Sequence, residues 1–244
     1  MDGFVFVLAF AALPALGNVL GALASEITEV SERTLSLALH LAAGVVLAVV
    51  GLELLPEAMT SSTPWIPIAA FAAGGLIFIA IEKAIGIVKH RFVDADGSTG
   101  PLAIYTGVSL DLFSDGVMIG TATLIDPSLG LLLALGQVPA DIPEGFAALA
   151  SLRRAGVRRS TRVKMGAAFA APVIVGAALG YFALREAPDV ITLSVLALTG
   201  GVLISVVVEE IVHEAHEGET SRLGPFALTA GFALFALLSA YLAV

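Results

Sequence analysis

The chain contains no cysteine, which removes disulfides, thiolate metal sites and iron–sulfur clusters together and leaves the redox compartment open. Charge is also scarce. Only 14% of the 244 residues are charged and 58% are hydrophobic, whereas a soluble domain carries about a quarter charged residues. With a mean hydropathy of +0.98, the composition is that of an all-α polytopic membrane protein. Hydrophobic periodicity adds little, because a membrane span is apolar nearly all round, so segment length decides the assignment. The N-terminus, MDGFVFVLAF, has no basic region before its apolar run, and an uncleaved first span is expected rather than a signal peptide. A net charge of −9 argues against nucleic acid as a partner.

The most informative absence is local. Between Phe92 and Leu152 there is no Lys, Arg or His. Two apolar segments in that interval nevertheless carry acids in their middle. YTGVSLDLFSDGVMIGTATLI holds Asp111 and Asp115, and LLLALGQVPADIPEGFAALASL holds Asp141 and Glu144. On a helix, spacings of four and three put each pair on one face, roughly 40° and 60° apart. A central carboxylate costs roughly 2.5–3.5 kcal/mol to insert, so four unpaired ones would cost on the order of 10 kcal/mol. Bound cations, bound protons, or both must offset them.

Eight spans are expected, at about 3–24, 35–57, 65–88, 101–124, 128–152, 163–184, 189–213 and 224–243. Short connections leave one transmembrane domain, 1–244. Pro56, Pro64, Pro101, Pro127, Pro188 and Pro225 fall at or near the proposed ends. Connections after odd-numbered spans hold Arg33, Lys89, Arg91, Arg153, Arg154, Arg158, Arg159, Arg162, Lys164 and Arg222, while those after even-numbered spans hold only Arg185. That bias puts both termini on the outer side of a plasma or inner membrane.

An internal repeat accompanies this layout. AAGVVLAVVGLELLPEA (42–58) aligns without gaps on TGGVLISVVVEEIVHEA (199–215), matching Gly44 with Gly201, Glu53 with Glu210 and Glu57 with Glu214. The two segments run in opposite directions, so a 3+2+3 plan with inverted repeats follows, the arrangement of many secondary transporters. In the central pair, Pro139 and Pro143 should interrupt span five, freeing backbone carbonyls beside Asp141 and Glu144. A merely bent, packed helix with protonated acids is the competing reading.

ADIPEG resembles the HEIPEG-type fifth-span motif of the ZIP (Zrt/Irt-like) family of divalent metal transporters, and DLFSDG its fourth-span motif, His-Asn-x-x-Asp/Glu-Gly. AAGVVLAVVGLELLPEA resembles its second span and FIAIEK (78–83) its third. The resemblance implies eight spans, outward termini and facilitated, elevator-like uptake into the cytoplasm. It carries over Asp115, Asp141 and Glu144 as metal ligands, with Asp111 as an altered ligand where the family has His. Leu112 replaces the motif Asn and Ala140 the His or Gln of span five. The sixth-span Glu of some members falls at Ala171, and the second-span Met at Val46.

Four carboxylates without imidazole or thiolate make an oxygen-only site, which suits Mn²⁺, Fe²⁺, Mg²⁺ or Ca²⁺. The family resemblance implies zinc. Zinc, iron or manganese is therefore the expected substrate, with no organic cofactor. One divalent ion leaves the four acids at a formal −2, so protons or a second ion should share the site.

Gln137 lies on the face of Asp141 and Glu144, as a pore-lining or a packed amide. Met118 offers a thioether or fills the core. Glu53 and Glu57 are an outer cation attractor or a solvated helix end. Glu209, His213 and His216 or Glu217, with Glu210 in the same run, suit a transient exit-side metal site or an acidic interfacial helix end. His40 and His90 are read as bland. The expected partners are lipid, divalent metal ions and protons, with a homodimer left open. Two other functions are weighed. A proton-coupled carrier of an organic cation has only Tyr105 and Phe113 as nearby span-four aromatics. A transport-inactive relative would serve as metal sensor or scaffold. No nucleophile–base pair or cofactor motif supports an enzyme.

Overall fold

The computed structural model describes residues 2–92, 101–216 and 221–242, without the side chains of 2, 84–92 and 101–104. His90, Lys89 and Arg91 (as side chains) and Glu217 therefore lie outside the described residues. The described residues contain no strand. They form α1 (Asp2–Ile27), α2 (Glu32–Ala58), α3 (Trp65–Phe92), α4 (Pro101–Ile125), α5 (Pro127–Arg154), α6 (Arg159–Leu184), α7 (Asp189–His216) and α8 (Gly224–Leu242). Seven of these are long and apolar enough to cross a membrane. The exception is α5, which has ample length at 28 residues but carries two internal prolines, two acids and two terminal arginines. Large apolar side chains face outward on α1, α3 and α8, among them Leu20, Leu76 and Leu237. This is a multipass membrane protein, whose lipid solvent accepts such a surface.

Local sequence sets the ends. Ser31 caps α2 by accepting the Thr34 N–H at 3.1 Å. Asp126 caps α5, accepting from the Ser128 hydroxyl at 2.5 Å and its N–H at 2.6 Å, and these bonds hold its carboxyl below the usual range. Gly156, at φ 77°, ends α5, with Gly156 N–H bonded to Arg153 and Val157 N–H to Leu152.

The expectation that proline interrupts span five needs correction. Helix α5 continues through Pro139 and Pro143 without a break. Pro56 lies inside α2, just past a five-residue π segment, Val50–Leu54. A second π segment, Val207–Ile211, occupies the matching place in α7. The register is that of the internal repeat, with Val50 over Val207 and Glu53 over Glu210.

The helices pack as parallel pairs that are not neighbours in sequence: α1 with α5, α4 with α6, α2 with α8, and α3 with α7. Glycine permits the closest of these approaches. A Cβ on Gly116 of α4 would land on the Val173 carbonyl of α6, and one on Gly145 of α5 on the Asn18 carbonyl of α1. The first two pairs gather as one group of four and the last two as another, meeting through α2 against α5 and α4 against α7. The ends of α1, α3, α5 and α7 share one face of the molecule, the basic end, which holds Arg153, Arg159 and Arg162.

Candidate metal-ion pathway

All four central acids lie in the first helix group. Helix α4 supplies Asp111 and Asp115 and α5 supplies Asp141 and Glu144. Asp115 and Asp141 are each 1% exposed, Asp111 is buried, and Glu144 is half-buried. Asp111 and Glu144 face the same cavity. The Gln137 amide donates to Asp115 Oδ1, so that side chain belongs to the cluster. Asp115 also lies close enough to Asp111 and Asp141 to feel both charges.

Their hydrogen bonding is incomplete. Asp111 Oδ1, Asp115 Oδ2, Asp141 Oδ2 and Gln137 Oε1 are buried without a protein partner. Orphaned buried acceptors each cost free energy of about 1–3 kcal/mol. Among the described residues, the ion pairs join Glu26 to Arg159 and Arg162 and Glu186 to Arg185; none reaches the four acids. No three His, Asp, Glu or Cys side chains among the described residues converge tightly enough to hold an ion in this conformation. Gln137 holds Asp115, and the four acids do not form a closed cage.

Access is one-sided. A cavity of about 630 Å³ is lined by Asp111, Glu144, Ser151, Glu209, Glu210 and His213, among others, and separates the two helix groups on the side of the basic end. Beyond Asp115, toward the other end, Val46, Val49, Val50, Met118, Ile119 and Leu133 form one apolar cluster joining α2, α4 and α5. Met118 is fully buried within that cluster. On the far side, Glu57 and Asp189 line a second cavity of about 580 Å³. Glu53 lines neither cavity; it accepts the Ser239 hydroxyl of α8.

The polar stripe at the end of α7 divides. Glu209, Glu210 and His213 face the cavity, but His216 turns to the buried His40 of α2. Sequence reasoning passed over Asn18, which is fully buried on α1 beside the Gly145 turn, with both amide atoms unpartnered. Its signal was available: a polar side chain in the middle of an apolar span seldom lies there without a use.

Such a set of unpaired acidic oxygens, reached through a half-open cavity, can bind and release a cation. The sequence model described as ZIP Zinc transporter matches residues 89–239, more than half of the chain and all four acids. Residues 1–88, which include the LLPEA segment, fall outside that match. No curated protein matches the chain.

Proposed function

Because the chain belongs to the ZIP zinc transporter family, whose members move metal ions, we propose that it carries divalent metal ions across the membrane through a midplane site formed by Asp111, Asp115, Asp141 and Glu144. The observation that carries this reading is the set of orphaned, buried oxygen atoms on Asp111, Asp115 and Asp141, with Gln137 beside them and no basic partner. An isolated negative charge is unstable in such surroundings, and a divalent cation satisfies several of these acceptors at once.

The donors set the substrate. Oxygen-only ligation favours Mn²⁺ or Fe²⁺ over Zn²⁺ relative to an imidazole site, while family membership favours Zn²⁺. Zinc, iron and manganese form the substrate class. All eight helices span the membrane as one domain, α5 included, because burial among α1, α2 and α4 shields its acids from lipid. The basic end faces the cytoplasm and both termini face outward, so the cavity is an exit and the flux is uptake. All four acids ride on α1, α4, α5 and α6, and movement of that group against α2, α3, α7 and α8 would carry the site from one cavity toward the other. Protons replace the ion on the return.

The test is uptake of Zn²⁺, Mn²⁺ and Fe²⁺ into proteoliposomes. Asp115→Asn and Glu144→Gln are expected to cut uptake at least about 10-fold, and uptake should vary between pH 5 and 8. Flux that ignores both substitutions would overturn the site. One observation favours a second reading, a transport-inactive metal sensor: the acids do not converge as three ligands of one ion. That reading expects metal binding, lost in the same variants, with no flux in any protein.

A further inference from the structure

His40 and His216 meet at the basic end, outside the carboxylate cluster. Their ring centroids are 4.9 Å apart and the rings are inclined at 63°. Each ring is oriented by its own helix. His40 Nδ1 lies 2.7 Å from the Ser36 carbonyl and His216 Nδ1 lies 2.6 Å from the Val212 carbonyl. A carbonyl oxygen only accepts, so both Nδ1 atoms carry the proton in the neutral rings and both Nε2 atoms carry a lone pair. Donation of the second ring nitrogen to a backbone carbonyl is the arrangement that orients metal-binding imidazoles.

The spacing fits a shared ion. With metal–nitrogen bonds of about 2.0 Å and a tetrahedral angle, two coordinated imidazoles have centroids about 5 Å apart. Gly224 of α8 packs against the His40 ring, where a Cβ would sit 2.9 Å from Nε2, so glycine there lets the ring keep its place. The helices are joined at this level by the Ser36 hydroxyl, which donates to the Ala215 carbonyl at 2.6 Å, so the two rings are held on a fixed frame. The site adjoins the cavity mouth: Leu39, the neighbour of His40, and His213, one turn before His216, both line the cavity. His216 is exposed, so water can complete the coordination.

We infer that His40 and His216 form a second metal-binding site, a pair of imidazole nitrogens that takes a borderline divalent ion such as Zn²⁺ or Cu²⁺ where the cavity opens. No third His, Asp, Glu or Cys among the described residues completes it, and two nitrogens with water give the weak, exchanging grip that a passing ion needs. Its role as a station for departing cargo rests on the transport reading; its capacity to bind metal does not.

The experiment uses the purified full-length chain and two probes, Cu²⁺ by electron paramagnetic resonance and Zn²⁺ by equilibrium dialysis. Wild type and Asp115→Asn/Glu144→Gln should both show Cu²⁺ with hyperfine coupling to two imidazole nitrogens. The exposed His216→Gln should lose that coupling and weaken one class of Zn²⁺ sites about 10-fold, and His40→Asn should do the same. The chain has four histidines, so His90→Gln and His213→Gln serve as controls and should leave the signal intact. A two-nitrogen signal that survives His216→Gln, or that follows His213 or His90, overturns the site. Loss of uptake in the carboxylate variants with this signal unchanged concerns the central site alone.

Discussion

Asp141 and Asp115 are each 1% exposed, lie on adjacent helices, and have an oxygen without a protein partner. Such groups cost stability in the absence of ligand, because neither full hydration nor a cationic side chain compensates them. Asp141→Asn keeps the shape and removes the charge, so the metal-free protein should become more stable, by about 1–3 kcal/mol. The same substitution should abolish the rise in melting temperature that Mn²⁺ or Zn²⁺ gives to the wild type. Thermal unfolding in detergent, with and without metal, measures both effects. A metal-free variant less stable than wild type would mean that Asp141 is held by protein contacts alone. At this scale the sequence was legible where chemistry is encoded by spacing: Asp111 with Asp115 and Asp141 with Glu144 share helix faces whatever surrounds them. It was silent where a neighbour decides. His40 is a lone histidine in sequence, and only packing of α2 on α7 gives it His216.

Between helices, a two-pronged ion pair lies at the basic end. Arg162 of α6 donates from Nε at 2.6 Å and Nη2 at 2.8 Å to the two carboxylate oxygens of Glu26 on α1, and from Nη1 to the Val157 carbonyl at 2.5 Å. Both side chains are largely buried, with 10% and 5% exposure. The sequence assigns Arg162 to a positively charged connection; the structure makes it a clip that closes the carboxylate-bearing helix group. Removing one partner strands the other, so Arg162→Ala should lower stability by about 3 kcal/mol, and Arg162→Lys, which cannot form the two-pronged pair, should recover only part of it. Denaturation midpoints of the three proteins test this. Equal midpoints would place the pair among exposed bridges of little worth. The π segments are a second feature that apolar letters concealed. A π segment holds one residue more than an α-helical turn, so deleting Val208 should restore regular helix, re-aim the residues inside the segment and leave those that follow it in phase. That would turn Glu209 and Glu210 about the helix axis, away from their places on the cavity wall, and metal uptake should fall while helix content, read by circular dichroism, stays within a few per cent. Uptake at the wild-type rate would show that the π segment is incidental to the pathway.

Over the whole molecule, the length and apolarity of the helices were legible, and so was the bias of basic residues toward one end. The association of α1 with α5 or α2 with α8 was not, because helices apolar all round carry no periodicity that says which face meets which neighbour. That association is what gives the protein its asymmetry. On one side of Asp115 the two helix groups touch through Val46, Val49, Ile119 and Leu133; on the other they part around a cavity that reaches Asp111 and Glu144. A protein caught between two such states should expose different residues to water on its two sides, and the absence of cysteine makes the test clean. Single cysteines at Ser114 and Ser151, both on the cavity wall, should react with a membrane-impermeant maleimide added at the basic end. Cysteines at Val49 and Leu133, both within the apolar cluster, should resist it from either side. If the two groups slide past one another during transport, Mn²⁺ or Zn²⁺ turnover should slow labelling at Ser114 and Ser151, because part of the population then faces the other way. A cysteine pair that ties α2 to α5 should freeze that response and stop uptake together, with uptake restored by reducing agent. Labelling rates at Ser114 and Ser151 that never respond to metal would fix the molecule in a single state, and a single state with one open side binds an ion without passing it on.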